Sequence, residues 1–168
     1  MNNHDREIRH RLKTDFLHYS QKCLKLRTKQ GAIVSFVLNA AQQYVHCCLE
    51  EQLKKTGKVR ALILKSRQQG CSTYVEARFY WKVTHHKGVR AFILTHLDDA
   101  TRNIYQIMRR FHEYCPFPVK PHASHANSRE LVFDRLDSGY NIGTEETKSE
   151  IDQNNVVWLT LCEKMQKN

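Results

Sequence analysis

The stretch Lys65-Ser66-Arg67-Gln68-Gln69-Gly70-Cys71-Ser72-Thr73 gathers two cations, three hydroxyls and a glycine within nine residues, a combination suited to holding an anion. It lies between an apolar run, Ala61-Leu62-Ile63-Leu64, and a segment with helical periodicity. A loop passing from a strand into a helix presents converging backbone N–H groups together with the positive end of the helix dipole, and phosphate binds there readily. Lysine or arginine then offsets the remaining charge. Against G-x-x-x-x-G-K-[ST] the match is partial: Lys65 replaces the first glycine, Gly70 is the second, Cys71 stands where lysine belongs and Ser72 keeps the hydroxyl. The same residues also read as a basic turn with Ser72 as an N-cap, and the loop alone does not separate the two readings. Other reactive residues are less organised. Two imidazoles three residues apart, His122 and His125, can share one face of a turn near Cys115, but a fourth ligand is missing and a polar loop is the better reading. His85-His86 end an expected helix, where imidazoles complement the carbonyl end of the dipole. The six cysteines form no C-x-x-C pair, which fits reduced thiols.

These residues need elements to position them. A basic helix is expected over 5–26, with Ile8, Leu12, Phe16, Tyr19 and Cys23 as its apolar stripe. Arg6, Arg9, Arg11, Lys13, Lys22 and Lys25 fill its other faces, read first as a solvated surface and second as a DNA-binding one. Gly31 interrupts that pattern. After an apolar stretch over 32–38, a second helix is expected over 39–55, with Asn39 as N-cap and Gly57 just beyond its end. A strand over 59–64, a helix over 72–86, a strand over 89–95 and a helix over 98–114 follow in a β-α-β-α rhythm. Such alternation implies a parallel sheet with helices on its faces. All three prolines fall between Cys115 and Pro121, which must be an extended or turning connection. Strands are expected over 130–134 and 139–143, with a turn near 136–139, and a further apolar run covers 156–161.

A chain of 168 residues is long enough for one core and short for two. With 27 Lys plus Arg against 17 Asp plus Glu the net charge is +10, so a polyanionic partner is expected. The apolar runs fall far short of the ~18 residues that span a bilayer. The first ten residues are charged and carry no apolar signal segment. A cytoplasmic protein without membrane partners is the expectation.

The loop as it stands resembles the deviant Walker A of phage terminase large subunits, the DNA-packaging ATPases, in which R-Q-x-G is followed by S-T or T-T and some members carry the lysine at the start of the loop. The resemblance implies that Lys65 holds the β- and γ-phosphates, that Arg67 is a second phosphate sensor, that Gly70 lets the backbone approach, and that Ser72 coordinates the Mg²⁺ of bound ATP. Thr73 would cap the helix and line the nucleotide site, with Ser66, Gln68, Gln69 and Cys71 completing the loop. Upstream, Phe36-Val37-Leu38-Asn39-Ala40-Ala41-Gln42-Gln43 resembles the family's adenine-binding segment, and Gln42, with Asn39 beside it, would pair with the adenine edge. The likeness continues through 91–96, 127–133 and 138–140, covering about 33–144. It implies an α/β protein, an incomplete nucleoside-triphosphatase fold with a mainly parallel sheet flanked by helices and preceded by two helices. The organisation that follows is a basic amino-terminal helix over 1–30, a partial terminase-like ATPase domain over 31–144 and a divergent tail over 145–168. Beyond Thr144 the family would continue to an apolar strand ending in the acidic Walker B pair. Here the chain reads Glu145-Glu146-Thr147-Lys148, and the run 156–161 is followed by Cys162-Glu163, a conceivable substitute. The simpler expectation is a frameshifted prophage remnant that binds ATP and Mg²⁺ with little or no turnover, with catalytic residues undetermined and no nuclease. The partners implied are double-stranded DNA, a small terminase subunit and a portal protein. The alternatives are a non-enzymatic basic DNA-binding domain, which would need a recognition helix, and a helicase-like ATPase fragment, which would need Gly-Lys-Thr and a D-E-x-x pair.

Overall fold

The computed structural model describes residues 3–63, 69–95, 98–117, 119–127, 130–144 and 156–161. Where one helix was expected over 5–26 there are two, Asn3–Thr14 (α1) and Phe16–Cys23 (α2). The break is at Asp15, whose backbone is extended and whose carboxylate accepts the His18 N–H at 2.9 Å, capping α2. A cap of this kind is worth about 1 kcal/mol, enough to favour a fresh start over a continued helix. The apolar stripe survives the break: Leu12, Phe16, Tyr19 and Cys23 are buried, while Ile8 near the free end is not.

The chain leaves α2 at Leu24 in an extended conformation and forms an unforeseen antiparallel hairpin, Lys25–Arg27 (β1) with Ile33–Ser35 (β2), turning near Gly31 at φ 92°. Ala40–Thr56 (α3) follows, capped by Asn39 and ended by Gly57 in the left-handed region, as the residues at both ends require. The strand expected over 59–64 is not formed by its described residues. Residues 59–63 are irregular and Leu62 is 88% exposed; Leu64 lies outside the described residues. The physical reason is competition, because Arg90–Thr95 (β3), beside which such a strand would dock, is already paired along both edges.

Cys71–His85 (α4) is the central helix, buried along most of its length, and Asp98–Tyr114 (α5) packs against it. Both helices contact β3 and Ser138–Thr144 (β6). After α5 the chain turns, the Val119 and Lys120 N–H groups both donating to the Pro116 carbonyl, while Pro118 lies outside the described residues. His125–Ala126 (β4) and Glu130–Phe133 (β5) precede a 3-10 turn, Asp134–Leu136, and Val156–Leu161 (β7) completes the sheet in the order β4-β5-β6-β3-β7. Strand β3 runs parallel to β6 and β7, whereas β5 is antiparallel to both β6 and β4. The sheet is therefore mixed rather than mainly parallel, within an α/β architecture that has five α-helices among the described residues.

Aromatic and aliphatic side chains from every layer share one core, including Tyr19, Phe36, Tyr80, Ile93, Phe111 and Phe133. Helix α1 is attached to it by Leu12 and by one buried bond, from the Trp81 indole N–H to the Leu12 carbonyl at 2.9 Å. Glu76 of α4 is wholly buried, and neither carboxylate oxygen has a hydrogen-bond partner; the nearby Tyr140 hydroxyl is likewise unpartnered. No helix among the described residues is long and apolar enough to cross a membrane.

Candidate functional site

The two segments that sequence reading singled out separately, Asn39/Gln42 and the loop at 65–73, meet in space. Asn39 and Gln42 form a reciprocal capping box: Asn39 Oδ1 accepts the Gln42 N–H at 2.9 Å, and Gln42 Oε1 accepts the Asn39 N–H at 3.0 Å. The free ends of both amides then reach the loop. Gln42 Nε2 donates to the Gly70 carbonyl at 2.8 Å, and Asn39 Nδ2 donates to the Gln69 carbonyl at 3.3 Å. Gln42 is 4% exposed with both ends of its amide engaged, so in this geometry it anchors the loop and has no open edge for a base.

Gly70 is required on two grounds. Its φ of +69° lies in the left-handed region, and a Cβ there would stand 2.7 Å from Gln42 Nε2. It is also the N-cap of α4, which begins at Cys71, one residue earlier than expected, with no side-chain cap. Neither Ser72 nor Thr73 therefore caps the helix, because both lie inside its first turn, half-buried. A first turn without a side-chain acceptor leaves its N–H groups open to an anion. Lys65, Ser66, Arg67 and Gln68 lie outside the described residues; the loop is described from Gln69 onward.

An apolar groove of about 500 Å³ opens beside the loop, between α3 and the irregular segment 61–63. Ala41, Tyr44, Val45 and Leu49 form one wall, Leu62 the other, and Cys71 closes the end nearest the loop. Tyr44 is 73% exposed. Sequence reading missed this groove because it placed Leu62 in a buried strand; the available signal was Tyr44, two residues past Gln42.

Beneath the loop, α3 and α4 are clamped by a polar cluster. Arg78 is buried, its Nη2 lies 2.6 Å from Glu50 Oε1, and its Nη1 is 3.3 Å from both the Tyr74 hydroxyl and His46 Nδ1. Arginine only donates, so His46 Nδ1 is the acceptor and its proton sits on Nε2. Burial, then Arg78, lowers the His46 pKa and keeps the ring neutral. At the other end of α4, His85 Nδ1 lies 3.0 Å from the Trp81 carbonyl, and burial pushes this ring down to about 4. Burial does the same for His112, which lies 3.0 Å from the Tyr80 hydroxyl.

Four residues, 86–89, connect α4 to β3, so the helix runs back against the strand and its N-terminus stands at the same edge of the sheet as Thr95. There Thr95 and Thr101 form a buried hydroxyl pair at the carboxyl end of β3. Ligands of open α/β sheets are held along that edge. Among the described residues no group of His, Cys, Asp or Glu is placed to hold a metal, and Cys115 is buried while His122 and His125 are exposed. Cys23, Cys47, Cys48, Cys71 and Cys115 are free thiols. No protein-family model matches the chain, and no curated protein matches it.

Proposed function

We propose that this chain is the nucleotide-binding portion of a DNA-packaging ATPase of the terminase large-subunit class, holding the phosphates of Mg²⁺-ATP at residues 65–73. The observation that carries the reading is the bond from Gln42 to the Gly70 carbonyl, since it joins two segments distant in the chain that each resemble that family. The residues fit the ligand. The uncapped first turn of α4 can accept phosphate oxygens, and Ser72, half-buried in that turn, is the hydroxyl this reading assigns to Mg²⁺. Bound Mg²⁺ would supply charge neutralisation. Lys65 and Arg67 add the side-chain cations. Gln42 and Asn39 hold the loop, and the groove beside Tyr44 takes the adenine, its volume falling in the range of small-molecule sites. Turnover is slow or nil, because the tail after Thr144 departs from the acidic motif that activates water. Duplex DNA, a small subunit and a portal are the partners this reading carries, and a prophage remnant is its origin.

The test is titration with a fluorescent ATP analogue in Mg²⁺. Lys65→Ala is expected to weaken binding by roughly 1.5–3 kcal/mol, the worth of a charge-assisted contact, whereas Cys71→Ala removes one uncharged atom and changes little. Equal affinity for wild type and Lys65→Ala removes Lys65 from the site. No binding by wild type removes the nucleotide reading. In that case a second reading, a basic DNA-binding domain without nucleotide chemistry, is favoured by the +10 charge.

A further inference from the structure

Helix α1 exposes eleven of its twelve residues, an unusual way to use a helix that is held in a fixed place. Spacings of three and four residues put Arg6, Arg9 and Lys13 on one face. Among the described residues none of these three is in an ion pair, whereas Arg11 has Asp15 3.9 Å away. The Trp81–Leu12 bond then brings the end of α1 against the last turn of α4, so that Lys13 follows Leu12 and Lys82 follows Trp81 at one junction. His86 stands there too. Burial lowers the His86 pKa first, and the charges of Lys82 and Lys13 act in the same direction. Lys82 is lowered by burial and by Arg78, with Glu50 the one acid acting in the opposite sense. Cations crowded this way cost stability unless an anion joins them. The dipole at the carboxyl end of α4 accounts for Lys82 and His86 but not for the stripe along α1.

We propose that the exposed face of α1 (Arg6, Arg9 and Lys13), continued by Lys82 at the end of α4, is a contact surface for the phosphate backbone of duplex DNA. The stripe from Arg6 to Lys13 is about 10 Å long. Over that length a duplex carries about six phosphates. Single-stranded nucleic acid suits the surface less, because α1 carries no Phe, Tyr or Trp on which bases would stack and Trp81 is buried. A lipid surface does not suit α1, whose apolar residues are Ile8 and the buried Leu12 alone. Lys82 stands eleven residues, about 16 Å of helix rise, from Cys71 at the loop end of α4, and the surface does not depend on nucleotide being bound.

The experiment measures anisotropy of a fluorescein-labelled duplex of arbitrary sequence, titrated with the full chain over a range of salt without nucleotide. Arg6→Glu/Arg9→Glu/Lys13→Glu is compared with Lys54→Glu/Lys58→Glu/Arg60→Glu, which changes net charge equally on exposed residues elsewhere. The α1 variant should lose at least about tenfold in affinity, and its salt slope should fall by about 2–3, near 0.9 per phosphate contact removed. The control should keep the wild-type slope. The Gln triple at the same α1 positions should show the same fall in slope, which separates lost contacts from repulsion or misfolding. Equal losses in both charge-reversed variants would mean that net charge alone acts and would overturn the assignment. So would wild-type binding by the α1 variant, or no duplex retention by wild type at low salt, the outcome expected of a surface for an acidic protein. ATP-analogue titration of the same variants should be unchanged, so a failed nucleotide site and a failed DNA surface are told apart.

Discussion

Gly70→Ala is expected to destabilise the fold by about 2–5 kcal/mol and to abolish binding of the ATP analogue. Holding an L-residue in the left-handed region costs about 1–2 kcal/mol. The added Cβ also meets Gln42 Nε2 at 2.7 Å. Gln42 cannot step aside freely, because its Oε1 accepts the Asn39 N–H in the capping box and the side chain is buried. Displacing it strands a buried amide, worth about 1–3 kcal/mol more. Urea unfolding reads the loss. Combining Gly70→Ala with Gln42→Ala removes the colliding atom, so the double variant should lose less than the sum of the two single changes. A wild-type unfolding midpoint for Gly70→Ala would show that the Gln42–Gly70 contact does not hold the loop.

Glu76→Met is expected to stabilise the protein by about 2 kcal/mol at neutral pH, and by more as pH rises. The glutamate is wholly buried without a hydrogen-bond partner for either oxygen, and an unbranched thioether fills similar space with no polar atom to satisfy. Burial raises the Glu76 pKa well above 4.5, so the folded protein keeps the carboxyl protonated where the unfolded chain ionises it. The direction is opposite to that of a salt-bridged glutamate. Stability is complete below about pH 4.5 and falls as pH rises toward the folded value, at up to about 1.4 kcal/mol per pH unit. Glu76→Gln removes the ionisation but keeps unsatisfied polar groups, so it should flatten the pH profile without the full gain of methionine. Parallel pH profiles for wild type and Glu76→Gln would sink this account.

Local signals carried much of the fold. Asn39 and Gly57 bracket α3 because each supplies what a helix end lacks, and the same holds for the prolines that stop α5. Competition between elements was not legible. Asp15 interrupts no position of the apolar stripe, and nothing in the spacing shows that its carboxylate prefers the His18 N–H to a continued helix. Residues 61–64 have a strand's composition, yet the edges of β3 are taken by β6 and β7, a contest decided by segments distant in the chain. Within the site, the sequence placed Gln42 and Gly70 in the same proposal but assigned Gln42 to adenine. That its amide is spent on the loop depends on how α3 lies against α4, which no local pattern encodes.

The bond between Trp81 and Leu12 also has an optical meaning. The chain has two tryptophans, and the other, Trp158, lies in β7 opposite Phe92. Replacing Trp158 by phenylalanine leaves a single indole emitter, buried and donating its N–H to the carbonyl that fastens α1. When α1 lifts away, that indole exchanges the carbonyl for water and its emission moves to the red. The joint between the basic helix and the rest of the molecule is thus its own fluorescent gauge, readable in solution without a label.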